Sequence, residues 1–172
     1  MKNLILALTF GMIALITLPV FAGCASCSGG SMKVKSVAFE DNQPIPEKFS
    51  CRGQNINPEL SIENIPKGTK SLALVFEDLT MNWVHWIVFN IPANAKVDEN
   101  TVPGRQGTNS EGMQTYLGPC PDRGEVHQYS FKLYALDQEL NLEEGVNKEA
   151  LLSAMEGHIL GQAELIGTFS WE

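Results

Sequence analysis

The stretch Ser71-Leu-Ala-Leu-Val-Phe-Glu-Asp78, followed closely by Trp83-Val-His-Trp-Ile-Val-Phe-Asn-Ile-Pro92, carries the reading of the fold. Ser71 to Phe76 is apolar and bounded by polar residues, and Val84 to Ile91 is a longer apolar run stopped by Pro92. Neither run alternates, which is the pattern of strands buried on both faces. Further along the chain the alternation appears. Tyr129, Phe131, Leu133 and Ala135 fall on one face of a third strand. Leu165, Gly167, Phe169 and Trp171 oppose Ile166, Thr168 and Ser170 in a fourth. Lys33 to Phe39 is a weaker strand candidate.

One helix stands out among these strands. Asn147 is a suitable N-cap. Leu151, Leu152, Met155 and Ile159 form a helical stripe, and Gly161 is its predicted stop. The Gly- and Asn-rich stretch from Val97 to Thr115 reads as a long loop, and loops of that length in a compact domain are usually functional or mobile. No repeat and no internal boundary interrupts residues 32–172. The expected domain is mainly β with a C-terminal helix and a second, short helix.

The N-terminus reads as an export signal. Lys2 precedes an apolar segment from Leu4 to Leu18, and Pro19-Val-Phe-Ala-Gly-Cys24 follows. A positive start, an apolar middle and small residues at the end describe a secretory signal over residues 1–23. The alternative is an uncleaved membrane anchor, since Leu4 to Ala22 nearly spans a bilayer. Cleavage after Ala22 gives a soluble form. Phe21-Ala-Gly-Cys24 also resembles a bacterial lipobox, with Cys24 as the lipidated first residue. Residues 24–31 are Ser/Gly-rich and read as a flexible leader or lipoprotein tether. The expected location is therefore the periplasm or the envelope, with membrane contact only through the signal or a lipid.

The chain carries a formal net charge of −8. An acidic domain without a basic run is a poor partner for nucleic acid. Cys24-x-x-Cys27 lacks a second ligand pair, so it is a weak metal or redox signal, and no metal or cofactor is expected. Cys51 and Cys120 lie inside the domain, where export permits a disulfide.

Only three histidines are present, His85, His127 and His158. His158 reads as a partly exposed or packing residue on the helix. There is no Gly-x-Ser-x-Gly elbow, no His-Glu-x-x-His and no phosphate-cradling P-loop. Asp78, His85 and a distant serine could form a triad only if the fold placed them together.

Four blocks, in order, resemble the phosphatidylethanolamine-binding family in its bacterial, Raf-kinase-inhibitor-like branch. They are Phe49-Ser-Cys-Arg-Gly-Gln-Asn-Ile-Asn-Pro-Glu-Leu60, the Ser71 to Pro92 stretch, Tyr116-Leu-Gly-Pro-Cys-Pro121 with His127 to Asp137, and Glu156-Gly-His-Ile-Leu160. The resemblance covers nearly all of residues 32–172. It implies an antiparallel β-sandwich with peripheral helices. It also implies a small pocket for phosphate-type anions or phospholipid headgroups, at Asp78, His85, Gly118, Pro119, Cys120, Pro121, His127 and Tyr129. Cys51 and Cys120 belong to blocks that flank this pocket, as a disulfide or as two separate buried thiols. Members of the family are binders and modulators, not catalysts. The leading expectation is an envelope binding module. The alternative is a protein-interaction module inhibiting a protease or other target, and a hydrolase ranks last. A homodimer is left open.

The chain departs from the family pattern in two places. Asp78-Leu79-Thr80 replaces the usual Asp-Pro-Asp, and Gln128 follows His127 where Arg is common. An anion site remains chemically reasonable. Asp78 favours the imidazolium form of a nearby histidine. Two partly charged imidazoles, a tyrosine hydroxyl and backbone N–H groups can hold one phosphate. Thr80 removes an opposing charge and offers a hydroxyl.

Overall fold

The computed structural model describes residues 30–93 and 96–172. The signal segment 1–23, Cys24 and Cys27 lie outside the described residues, as does most of the leader. Among the described residues no helix is long and apolar enough to cross a membrane.

Two sheets face each other. The small one holds β1 (Lys33–Lys35), β3 (Leu60–Glu63) and β6 (Lys96–Val97) in the order β1-β3-β6. The large one holds β2 (Gln43–Pro44), β4 (Ser71–Asp78), β5 (Trp83–Pro92), β7 (Arg105–Gln106), β8 (His127–Leu136) and β9 (Ile159–Phe169). Its order is β2-β9-β8-β4-β5-β7. The pairings are antiparallel except that of β2 with β9, which is parallel. The expected sandwich is thus present, with this one exception to antiparallel pairing.

The unalternating run of β4 has a direct cause. This strand is central in the large sheet, and all its residues are buried. Leu72, Leu74 and Phe76 join the core between the sheets, together with Val34, Leu60 and Ile62. Ala73 and Val75 join a second core on the outer face, covered by Leu151 and Met155 of α1 (Lys148–Met155). Burying each large apolar side chain contributes about 1.5–3 kcal/mol, so β4 anchors both layers. The predicted face Tyr129, Phe131, Leu133 and Ala135 lies in the inter-sheet core, as do Leu165 and Phe169.

Three local expectations change. The helix starts as read, with Asn147 Oδ1 accepting from the Ala150 N–H at 2.9 Å. It ends at Met155, earlier than the stripe suggested, because Gly157 takes φ 79° and breaks it. Ile159 and Gly161 belong to β9, where Gly161 leaves room for the Pro66 ring. This is the expected C-terminal helix, followed as expected by the last strand, and it is the one α-helix among the described residues. The second helix is a single 3-10 turn at Glu47–Phe49. Strand β1 stops at Lys35, where the Ser36 hydroxyl accepts from the Ala38 N–H and turns the chain.

The stretch read as one long loop contains the short strand β7, and one buried side chain shapes the part that follows it. Asn109 Oδ1 accepts from the N–H groups of Glu111 and Met113, and its amide donates to the Thr115 carbonyl. Ser110 Oγ accepts from the Val84 N–H, which pins the loop to the start of β5.

Candidate ligand-binding site

The end of β4, the start of β5 and the start of β8 meet at one pole of the large sheet. Asp78 pairs with Tyr129 across one ladder and with Trp83 across the other. A bulge then changes the register. Phe76 pairs with Trp86, but Glu77 pairs with Val84, so His85 is the extra residue. A bulge re-aims side chains. Here it places His85 against the rings of Phe76 and Tyr129, at centroid distances of 5.2 and 5.4 Å. A plain alternating strand would send residues 85 and 86 to opposite faces.

A cavity of about 500 Å³ opens at this pole. Asp78, His85, Gly118, Cys120, Pro121, His127 and Tyr129 all line it. Pro119 does not: it is buried behind the wall, and its carbonyl accepts from the Cys51 N–H. Cys51 and Cys120 are joined by a disulfide with Cα atoms 5.5 Å apart, and both line the cavity. The alternative of two separate buried thiols is thereby replaced. The bridge holds the two loops that form this wall. Gly118 sits so close to the Phe49 carbonyl that a Cβ would lie 2.1 Å from it, and its N–H donates to Asn55 Oδ1 at 2.7 Å.

His127 is held by two carboxylates. Nδ1 lies 2.6 Å from Asp78 Oδ2, and Nε2 lies 3.0 Å from Glu125 Oε2. The other oxygen of Asp78 accepts from the Thr80 and Met81 N–H groups, which fixes its orientation. Burial by itself would lower the His127 pKa. The hydrogen bonds to Asp78 and Glu125, with their charges, outweigh it and raise the pKa above the usual histidine value. The two carboxylates thus favour the imidazolium form of His127.

His85 behaves in the opposite way. Its Nδ1–H donates to the Leu117 carbonyl at 2.9 Å, leaving Nε2 as an acceptor. Burial lowers its pKa despite that bond and the Asp78 charge. The two imidazoles, expected to be alike, are therefore shifted in opposite directions. Tyr129 is fully buried, and its hydroxyl makes no hydrogen bond of good geometry among the described residues, although Asp78 and the Cys120 backbone lie near enough to act on it. Burial, and next the Asp78 charge, push its pKa up, so the O–H stays intact as a donor.

Thr80 does not serve the cavity as expected. Its hydroxyl accepts from the Gln128 N–H and ties the β4–β5 turn to β8. Gln128 is exposed outside the cavity lining, so the loss of Arg at this position leaves the lining unchanged. Asp78 pairs with His127 rather than His85, and the lining contains no serine.

Sequence reasoning missed part of the lining. Glu111 and Met113 arrive on the Asn109-ordered loop, Met81 and Trp83 come from the β4–β5 turn, and Asp122 and Glu125 from the turn before β8. Glu125 could have been suspected from its place two residues before His127. The others depend on loop conformations that have no local signature. Among the described residues no group of three or more His, Cys, Asp or Glu side chains could hold a metal ion.

The sheets carry at one pole a walled cavity lined by both polar and apolar side chains, the arrangement of a ligand-binding module. The profile described as phosphatidylethanolamine-binding protein matches residues 35–170. A UPF0098 protein of Methanothermobacter thermautotrophicus is 47% identical over 149 residues, covering 80% of this chain and 98% of that protein. The crystal structure of a putative phosphatidylethanolamine-binding protein homologue, CT736 of Chlamydia trachomatis, superposes with a TM-score of 0.77 at 42% identity. That match covers 83% of this chain and 99% of the other. The structure of E. coli YbcL, described as a new member of the mammalian family, gives a TM-score of 0.74 at 27% identity, over 83% and 100% of the two chains. The chain belongs to the phosphatidylethanolamine-binding protein family.

Proposed function

We propose that this protein is an envelope binding module whose cavity takes phosphate-type ligands or phospholipid headgroups, and that it is not an enzyme. The observation that carries this reading is the Tyr129 hydroxyl, a buried donor with no well-formed hydrogen bond among the described residues, in a cavity that also holds the carboxylate-bracketed His127. Buried polar groups are almost always satisfied, so an orphan in a cavity suits a ligand acceptor. Phosphate supplies several acceptor oxygens and prefers charge-assisted bonds. Binding rather than acyl transfer is favoured because the lining has no serine and its cysteines are bridged.

Asp78, Glu111, Asp122 and Glu125 all line the cavity, and no Lys or Arg does. Long-range attraction is therefore absent, and affinity rests on short contacts. Inorganic phosphate and phosphoethanolamine should bind more tightly at about pH 5.5 than at about pH 8, because the anion needs protonated His127. Substituting His127→Ala should weaken binding by roughly 1.5–3 kcal/mol. Calorimetric titration tests both, and equal affinity at the two pH values would reject the histidine-based site. Export is tested by the intact mass of the protein recovered from the envelope. A start at Gly23 gives the soluble form, a diacylglyceryl Cys24 gives the lipoprotein, and retention of Met1 to Ala22 rejects cleavage.

The second reading is docking on a protein target such as a protease. It draws on the exposed apolar side chains Met81, Trp83 and Met113 at the cavity. A target held by that rim would bind without response to phosphate, which separates the two readings.

A further inference from the structure

The two ring nitrogens of His127 are not equivalent. The bond to Asp78 is enclosed, with side-chain exposures of 8% and 4%. The bond to Glu125 faces solvent, since the Glu125 side chain is 58% exposed. Asp78 is further fixed by the Thr80 and Met81 N–H groups. Among the described residues, the Glu125 side chain has His127 as its one hydrogen-bond partner. Its backbone is anchored independently: the Glu125 N–H donates to the Asp122 carbonyl, and the Gly124 N–H donates to the Trp171 carbonyl. The carboxylate can therefore swing off His127 by side-chain rotation, with the turn unchanged. Within the cavity, His127 also has the Tyr129 ring and His85 as neighbours, with Glu111 and Asp122 on the loops.

We propose that Glu125 is a built-in occupant of the anion site: its carboxylate takes the His127 Nε2 position that a ligand anion uses, so binding exchanges one anion for another. The proposal rests on the phosphate reading above and deepens it by assigning Glu125 as a specificity-determining residue. Its consequence follows from competition. A tethered carboxylate acts at a high effective concentration. A free monocarboxylate offers His127 the same bond and cannot displace it. A phosphate group offers further oxygens, which can also accept from Tyr129. The cavity therefore discriminates phosphate-type from carboxylate ligands by way of a residue that belongs to the protein.

The test uses inorganic phosphate and acetate as probes, with the full exported protein and its Glu125→Gln variant. At about pH 5.5, below the ordinary histidine value of about 6.5, phosphate affinity should rise about fivefold in Glu125→Gln, as expected for loss of a half-exposed competing ion pair. Acetate should bind only in the variant. The His127 imidazole resonances should titrate at lower pH in Glu125→Gln, a readout independent of any ligand. Glu111→Gln and Asp122→Asn remove cavity charges that make no hydrogen bond to His127, and each should raise phosphate affinity less. Equal gains in all three variants would assign the effect to the general field and overturn the proposal. Unchanged phosphate affinity in Glu125→Gln, or an unchanged His127 titration, would overturn it while leaving the phosphate reading intact. Failure of phosphate to bind either protein would overturn both.

Discussion

Two histidine–aspartate pairs stand at opposite ends of the β8–β9 hairpin. His127 opens β8 and meets Asp78 at 2.6 Å, while His158 precedes β9 and meets Asp137 at 2.9 Å. The residue types match and the distances are similar, but the surroundings differ. The His158 and Asp137 side chains are 38% and 46% exposed, against 8% and 4% for the other pair. Water screens the exposed pair, and such pairs contribute about 0–1 kcal/mol. The buried pair is linked to the Thr80 and Met81 backbone, to Glu125 and to the cavity. Burial and connectivity, rather than the pairing itself, distinguish a candidate site from a surface ion pair.

Several substitutions would break or sharpen that contrast. The largest effect is expected at the disulfide, which cross-links only the cavity end. Cys51 and Cys120 are 69 residues apart, and closing such a loop stabilises a fold by about 4 kcal/mol in the chain-entropy account. Replacing both with Ser should lower stability to denaturant by an amount of this order. A loss below about 1 kcal/mol would mean that the Gly118–Asn55 and Tyr116–Phe49 bonds hold the wall without the bridge.

Asp78→Asn should come next, at about 3 kcal/mol, because it breaks a buried ionic pair and leaves His127 poorly matched. The corresponding change at the other end, Asp137→Asn, should cost less than about 1 kcal/mol. Similar costs for the two would erase the distinction between the ends. Parallel denaturant titrations supply the comparison.

The pH dependence sharpens the contrast within the cavity itself. The raised pKa of His127 gives stabilisation that is complete below the unfolded value of about 6.5 and is lost as pH rises through the folded value. The lowered pKa of His85 gives stabilisation that is complete above about 6.5 and is lost as pH falls toward the folded value. The two slopes oppose each other in the native protein. His127→Gln should lose stability on acidification below about pH 6.5, and His85→Gln should lose it as pH rises above that value. Unfolding curves across this range check the signs, and parallel slopes in the two variants would contradict the assignment.

The smallest effect belongs to His158→Ala. It should change stability by less than about 1 kcal/mol and leave phosphate binding unaltered, since His158 lies at the far end of the hairpin. A binding defect in this variant would show that the two ends communicate.

The sequence alone determined the layering. Apolar runs without alternation at Ser71 to Phe76 and Val84 to Ile91 can be buried only between two layers, and the alternation at Tyr129 to Ala135 assigns one face to the core. The ordered family blocks also drew Asp78, His85, His127 and Tyr129 into one expected pocket. Tertiary structure alone decided the chemistry of that pocket. The His85 bulge comes from a mismatch in pairing between two strands, which neither strand carries by itself. Glu111 and Met113 reach the mouth because Asn109 folds its loop around one buried amide. The pKa values of the two imidazoles shift in opposite directions because one is bracketed by carboxylates and the other is desolvated beside a carbonyl. Side-chain periodicity is written locally in a chain. Desolvation and charge proximity are set by distant segments, so they exist only once the chain has folded.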